Sequence, residues 1–232
     1  RQMCIRDRYC IGGVSTSSTY LNSVEIYDIA TDTWTTGASM PTTRTFINSV
    51  VIDGEIYVIG GYSSAKGLIN TVEVYDPITD TWTTKKSMPT ARHSITSAVV
   101  NDKIYVMGGY NSGILTTVQM YDTTTDTWTT KKAMPVAKRY ITSLTFDNKI
   151  YVMGGTTNRG VVSTVEVYNP STNTWESKKS MPTARRYLTS GIIGNKIYAL
   201  GGYDANGDPL DVVEAYNPST NTWESRTNMA NK

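Results

Sequence analysis

The sequence predicts an all-β fold made of five copies of one small antiparallel sheet. Three observations carry that reading. A glycine pair recurs at Gly12-Gly13, Gly60-Gly61, Gly108-Gly109, Gly154-Gly155 and Gly201-Gly202. A tyrosine follows each pair, at Tyr27, Tyr75, Tyr121, Tyr168 and Tyr216. A tryptophan follows each tyrosine, at Trp34, Trp82, Trp128, Trp175 and Trp223, with spacings of 48, 46, 47 and 48 residues. These are all five tryptophans in the chain, so the repeat accounts for every one of them.

The middle copy, Lys103 to Met134, shows the elements in order. KIYVM ends at the glycine pair, TVQMY ends at Asp122, and TWTT centres on Trp128. Such runs are short, rich in β-branched and aromatic residues, and bounded by Gly, Asn, Asp or Thr, which marks them as strands. A further strand precedes each glycine-pair strand in the later copies, as TFINSVVI does before EIYVIGG. The two are joined at Asp53-Gly54, Asn101-Asp102, Asp147-Asn148 and Gly194-Asn195, pairs that tolerate the positive φ of primed hairpin turns. The repeats therefore run over about 9–40, 41–88, 89–134, 135–181 and 182–229. The first has three strands and the others four. Residues 1–8, RQMCIRDR, match no repeat and read as a leader that is either non-native, a translated sequencing adapter, or disordered.

With the Gly-Gly, Tyr and Trp positions aligned and a Met-Pro-x-x-Arg/Lys link between copies, the sequence resembles the kelch family. That resemblance covers about residues 9–229 and implies a β-propeller whose blades are four-stranded sheets. The expected architecture is four complete blades plus a three-stranded N-terminal blade, a fragment of a larger propeller. The near-identical TDTWTTKK and MPTAR segments resemble bacterial kelch arrays, which implies a secreted or cell-surface setting. Packing is expected to explain the recurring residues first. Tyr and Trp fill the space between neighbouring blades. The Glu25, Glu73, Glu166 and Glu214 series, with Gln119 in the remaining copy, hydrogen-bonds within the structure. Cys10 stands where Val58, Val106, Val152 and Ala199 stand and reads as a small buried residue.

Composition narrows the function. A formal charge of +2 gives no reason to expect a nucleic-acid partner, and no run is long enough to insert into a membrane. One histidine and two cysteines cannot build a multi-histidine or cysteine-cluster metal site, so neither metal nor cofactor is expected. No P-loop, nucleophile elbow or dinucleotide fingerprint is present. The chain thus reads as a non-catalytic binding module for a protein or peptide, with a glycan as the alternative ligand. A metal-free sugar isomerase or mutarotase using Arg185, Asp204 and Asp208 is the remaining enzymatic reading.

Antiparallel strand direction puts the links and the loops after each glycine pair at one end. The candidate ligand-binding residues lie there. Arg44, Arg92, Lys138 and Arg185, three past each link proline, are expected to ring the mouth of a central channel. Beside them stand His93, Arg139 and Arg186, then Phe46, Tyr140 and Tyr187; the loops add Tyr62, Tyr110, Arg159 and Tyr203. In the eukaryotic adaptors that this chain resembles, basic residues near such positions meet acidic peptides. A basic, aromatic-flanked mouth for an acidic ligand is the resulting expectation, with the acidic turn residues gathered at the opposite end.

Overall fold

The computed structural model describes residues 7–231, in two compact units, 7–93 and 94–231. The first unit holds a three-stranded sheet, Asp7–Val14, Tyr20–Asp28 and Thr33–Gly37, and a four-stranded one, Asn48–Ile52, Glu55–Ile59, Val72–Asp76 and Thr81–Lys85. The second unit holds three four-stranded sheets. They comprise Thr96–Val100, Lys103–Met107, Val118–Asp122 and Thr127–Thr130; then Thr142–Phe146, Lys149–Met153, Val165–Asn169 and Thr174–Lys178; then Thr189–Ile193, Lys196–Leu200, Val213–Asn217 and Thr222–Ser225. Every pairing is antiparallel between sequential main strands, as propeller blades require. We number the blades 1 to 5 in chain order. Asp7 and Arg8, placed in the leader by sequence, extend the first strand opposite Asp28 and Tyr27. The rest of that leader, Cys4 included, lies outside the described residues.

Turn chemistry fixes the register. Asp53-Gly54, Asn101-Asp102 and Asp147-Asn148 have positive φ at both residues, so each is a tight turn that matches the strand twist. The glycine pairs are needed for a different reason. A Cβ on Gly154 would sit 2.5 Å from the Arg185 carbonyl oxygen, and one on Gly61 would sit 2.7 Å from that of Thr45. The first glycine of the pair approaches the link after its blade and the second the link before it, at distances that only glycine allows.

The core of each unit lies between blade faces. In the first unit Val24 and Met40 meet Ile56, Val58 and Tyr75. In the second, Met107, Val118 and Met134 meet Ile150, Val152 and Tyr168, while Met153, Val165 and Met181 meet Ile197, Ala199 and Tyr216. The innermost strands of the second unit are also tied by hydroxyls: Thr96 to Ser143, Thr142 to Ser190, and Thr145 to the Val99 carbonyl.

Two packing expectations need correction. The tryptophans were expected to be buried, yet Trp34 is 57% exposed and Trp82, Trp128, Trp175 and Trp223 are half-buried. Each ring leans on the tyrosine of its own blade at about 5 Å, as Tyr168 and Trp175 do at 5.0 Å. Their polar edges bridge blades: the Trp82, Trp175 and Trp223 indoles donate to the Ala38, Lys132 and Lys179 carbonyls. A ring used as a strut leaves one face in water. Cys10, expected to be buried, is exposed. Its equivalents Val58, Val106, Val152 and Ala199 are fully buried, each in a second strand with an inner strand beside it. In blade 1 the described residues provide no such strand.

A second tie between blades was missed in the sequence. The repeat tyrosine donates to an Asp or Asn five residues on: Tyr75 to Asp80 at 2.7 Å, Tyr168 to Asn173 at 2.6 Å, and Tyr216 to Asn221 at 2.8 Å. The same Oδ1 accepts a backbone N–H from the preceding blade, of Ala38, Lys132 or Lys179. All three acceptors sit at positive φ, where Asp and Asn are the best tolerated non-glycine residues. The Ala38 N–H, and then the Tyr75 hydroxyl, hold the Asp80 carboxyl below the usual carboxylate range. A lowered carboxyl contributes stability that is present above its ordinary pKa and lost as pH falls through the lowered one. Asp80→Ala should therefore lower stability at neutral pH. Asp80→Asn, the residue blades 4 and 5 already use, should be close to neutral there. It should also weaken the loss of stability on acidification, read as urea midpoints at neutral and acidic pH.

Candidate functional site

Each link places three successive residues in three different settings. The first is the cation three past the proline, and the structure places all four of these inside. Arg44, Arg92 and Arg185 are completely buried and Lys138 nearly so, against the expectation that they line a mouth. Arg44 donates to Glu73 at 2.6 Å and to the Gly60 and Thr71 carbonyls. Arg185 donates to Glu214 at 2.7 Å and to the Gly201, Val212 and Ala199 carbonyls. Lys138 pairs with Glu166 and Thr164. Burial pushes all three cations down in pKa, and the carboxylate beside each opposes it. Burial alone pushes Arg92 down to about 10. The Glu series is structural, as its even spacing implied. Glu25, facing no such cation among the described residues, is exposed.

The backbone of the same cation serves the blade before. The Arg44 carbonyl accepts from Gly13, that of Lys138 from Gly109, and that of Arg185 from Gly155. Met40 and Met88 of the Met-Pro segments add a thioether acceptor for the Nε of Arg44 and Arg92. Arg44, Lys138 and Arg185 are neutralised in place, and all four buried cations drop out of any ligand-facing surface. The enzymatic reading loses its arginine in the same way, and the Asp204 carboxylate is occupied by the N–H groups of Asn206 and Asp208.

In three of the four links the second residue of the triplet pairs with the loop that follows the glycine pair. Thr45 bridges to Tyr62, Arg139 to Thr156, and Arg186 to Tyr203. The third residue adopts positive φ: Phe46 at 52°, Ser94 at 55°, Tyr140 and Tyr187 at 56°. For aromatic residues this is an unfavourable conformation, retained only where the surroundings impose it. The next residue, Ile95, Ile141 or Leu188, is buried, which leaves Tyr140 and Tyr187 on the surface side. In the second unit their N–H groups reach one blade back, Tyr140 to the Ser94 carbonyl and Tyr187 to that of Tyr140.

The outcome in the second unit is a continuous aromatic ledge. The Arg139 guanidinium lies 5.0 Å from the Tyr110 ring centre and 4.7 Å from that of Tyr140. Tyr140 stacks on Tyr187 at 4.1 Å, and Tyr203 stands edge-on to Tyr187 at 6.2 Å. Burial beside Tyr140, and then a hydrogen bond to it, raise the Tyr187 hydroxyl well above its ordinary pKa. Both Arg139 and Arg186 are half-buried, and the Nε of each, like that of Arg185, is buried with no hydrogen-bond acceptor among the described residues. Arg159 is exposed in the hairpin formed by Thr156–Thr157 and Gly160–Val161. In the first unit Phe46 and His93 lie 5.4 Å apart, Tyr62 meets His93 edge-on, and Tyr20 meets Tyr62. Tyr20 went unnoticed in the sequence, although it stands at the end of a variable loop like the others.

The fold and its repeated link can now be set against known families. The model of the KLHDC2/KLHL20/DRC7 Kelch-repeats domain matches residues 2–135, more than half of the chain. The Kelch motif model matches residues 137–182 and 184–230. The chain belongs to the kelch-repeat family. No curated protein matches it closely enough to serve as a relative. Kelch propellers commonly mediate protein interactions, so membership agrees with a binding module.

Adjacent residues of one kelch link should therefore behave oppositely on mutation. Arg185→Ala strands the buried Glu214 carboxylate and should cost roughly 3–5 kcal/mol. Arg186→Ala, one position on, should cost less than about 1 kcal/mol. Denaturant midpoints of the two variants check this contrast.

Proposed function

We propose that this kelch chain is a non-catalytic binding module that holds an acidic peptide segment on the ledge of its second unit. One observation carries the reading. Arg139 and Arg186 lie half-buried with no carboxylate or carbonyl partner among the described residues, beside the aromatic surface of Tyr140, Tyr187 and Tyr203. The other conserved-register cations, Lys138 and Arg185, have carboxylates built in for them. The Arg139 guanidinium, held against the Tyr110 and Tyr140 rings, is oriented at a small entropic cost to offer its Nη N–H groups to a carboxylate that a ligand supplies. Aromatic and arginine side chains are also the types that dominate binding energy at protein interfaces.

Strain supports the same reading. Two tyrosines at positive φ put their rings side by side on the surface, where buried packing does not require them. Variation points the same way: the triplet position after each locked cation is Thr45, His93, Arg139 or Arg186, so the scaffold tolerates change there. Loops and ledges on a rigid repeated frame are where recognition is expected to reside.

The test is fluorescence polarisation of labelled Glu- and Asp-rich peptides and of their Gln and Asn counterparts, at low and moderate salt. Acidic peptides should bind in preference, with affinity falling as salt rises. Arg139→Glu and Arg186→Glu should each weaken binding by roughly tenfold or more, and Tyr187→Ala should weaken it without altering the salt dependence. Equal binding of the neutral peptides, with no effect of either charge reversal, would remove the proposal.

A further inference from the structure

The first unit contains a cleft that the peptide reading does not use. It has a volume of about 620 Å³, within the range of small-ligand sites, and lies where the loops of blades 1 and 2 meet the link between them. Its lining includes Ser18, Tyr20, Thr43 and Ser64, together with Pro41 and the exposed Lys66. Lys66 is the only charged residue in the lining, and no carboxylate is present.

The walls are built before any ligand arrives. On the blade 1 side the loop is closed on itself: Ser15 donates to the Thr19 carbonyl, and Ser18 to that of Ser15, both at 2.9 Å. The Thr19 N–H also donates to the Ser15 hydroxyl. Ser18, at the tip, is held at a φ of 61°. The opposite wall is a two-stranded hairpin, Tyr62–Ser63 paired with Gly67–Leu68. The floor is the link itself, anchored by the Arg44 N–H on the Leu21 carbonyl and by the Thr42 hydroxyl on Glu73 at 2.6 Å. A rigid cleft binds with little ordering cost.

We infer that this cleft is a binding site for an acidic saccharide, one carrying a uronate carboxylate. Hydroxyl groups can donate and accept alike, which suits the hydroxyls of a sugar better than the one-way pattern of a peptide backbone. Tyr20 and Pro41 contribute apolar carbon to the lining, against which the C–H face of a pyranose ring could pack. Lys66, which forms no ion pair among the described residues, meets the carboxylate at the rim. A neutral sugar would leave that ammonium unused, and an acidic peptide would leave most of the hydroxyl lining unmatched.

The inference is independent of the ledge on the second unit, and the experiment keeps them apart. The full chain is titrated by calorimetry with trigalacturonate, with its methyl ester, and with a triglutamate peptide. Trigalacturonate should bind saturably, the ester and the peptide roughly tenfold or more weaker. Lys66→Gln, an exposed loop change, should reduce trigalacturonate binding to the level of the ester. Thr43→Val should weaken both sugars, and Arg139→Glu should change neither. Absence of saturable binding in the millimolar range would overturn the inference. So would equal binding of ester or peptide, or a loss of sugar binding in Arg139→Glu but not in Lys66→Gln.

Discussion

The buried cation in each Met-Pro link is the interaction on which the rest depends. For Arg44, Lys138 and Arg185 the carbonyl accepts from the glycine pair of one blade while the side chain enters the next and meets that blade's glutamate. A charged group at zero exposure is unfavourable unless most of its donors find acceptors, so the geometry around it is strongly constrained, although the Nε of Arg185 finds none among the described residues. The glycines follow from this, because a Cβ would collide with the cation's own carbonyl. The glutamate follows because the guanidinium needs a counter-charge. Even the orientation of the next two residues follows, since one end of the triplet is locked.

That lock explains why structure and recognition can stand one residue apart. Arg185 is held by Glu214 and three carbonyls, whereas Arg186, the next residue in the same turn, meets no carboxylate among the described residues. The locked residue fixes the backbone, the backbone forces positive φ two positions later, and the ring there is turned outward. A binding surface obtained this way is rigid without requiring its own side chains to be part of the core. The two tyrosines at 4.1 Å and the arginine between two rings are held by neighbours whose identities the repeat preserves.

Most of the fold was legible because its periodicity is carried by residues with few substitutes. Gly-Gly, Tyr and Trp at constant spacing defined the blades, and turn pairs such as Asp147-Asn148 located the hairpins within them. The candidate site was legible only in part. Arg139, Arg186, Tyr140 and Tyr187 lie together on one ledge, as their neighbouring places in the links suggested. Arg44, Arg92, Lys138 and Arg185 do not, because a string of letters shows a charge without showing whether a partner is buried beside it. Pairing Arg44, Lys138 and Arg185 with the glutamate series, which recurs with the same period, was the signal available and unused. Burial of the tryptophans was overestimated for a related reason: ring size indicates how much area could be covered, whereas the indole N–H, bonded to a carbonyl across the blade gap, determines where the ring stands. The Asp or Asn acceptors looked like ordinary turn residues, and their second hydrogen bond is visible only in three dimensions.

Each of these ties, whether cation, indole or Asx acceptor, reaches one blade and goes no further. Stability in such an array is a sum of local units and nearest-neighbour junctions. The consequence belongs to heredity as much as to mechanics. A copying error that duplicates or deletes one whole repeat of the gene would leave each surviving junction with the partners it already had. The stretches that encode the junctions are also the most alike between copies, so recombination would tend to cut and rejoin the gene there. The link after the join would arrive with its lock intact and a different residue at the variable positions, and the binding surface would be reshuffled in a single event.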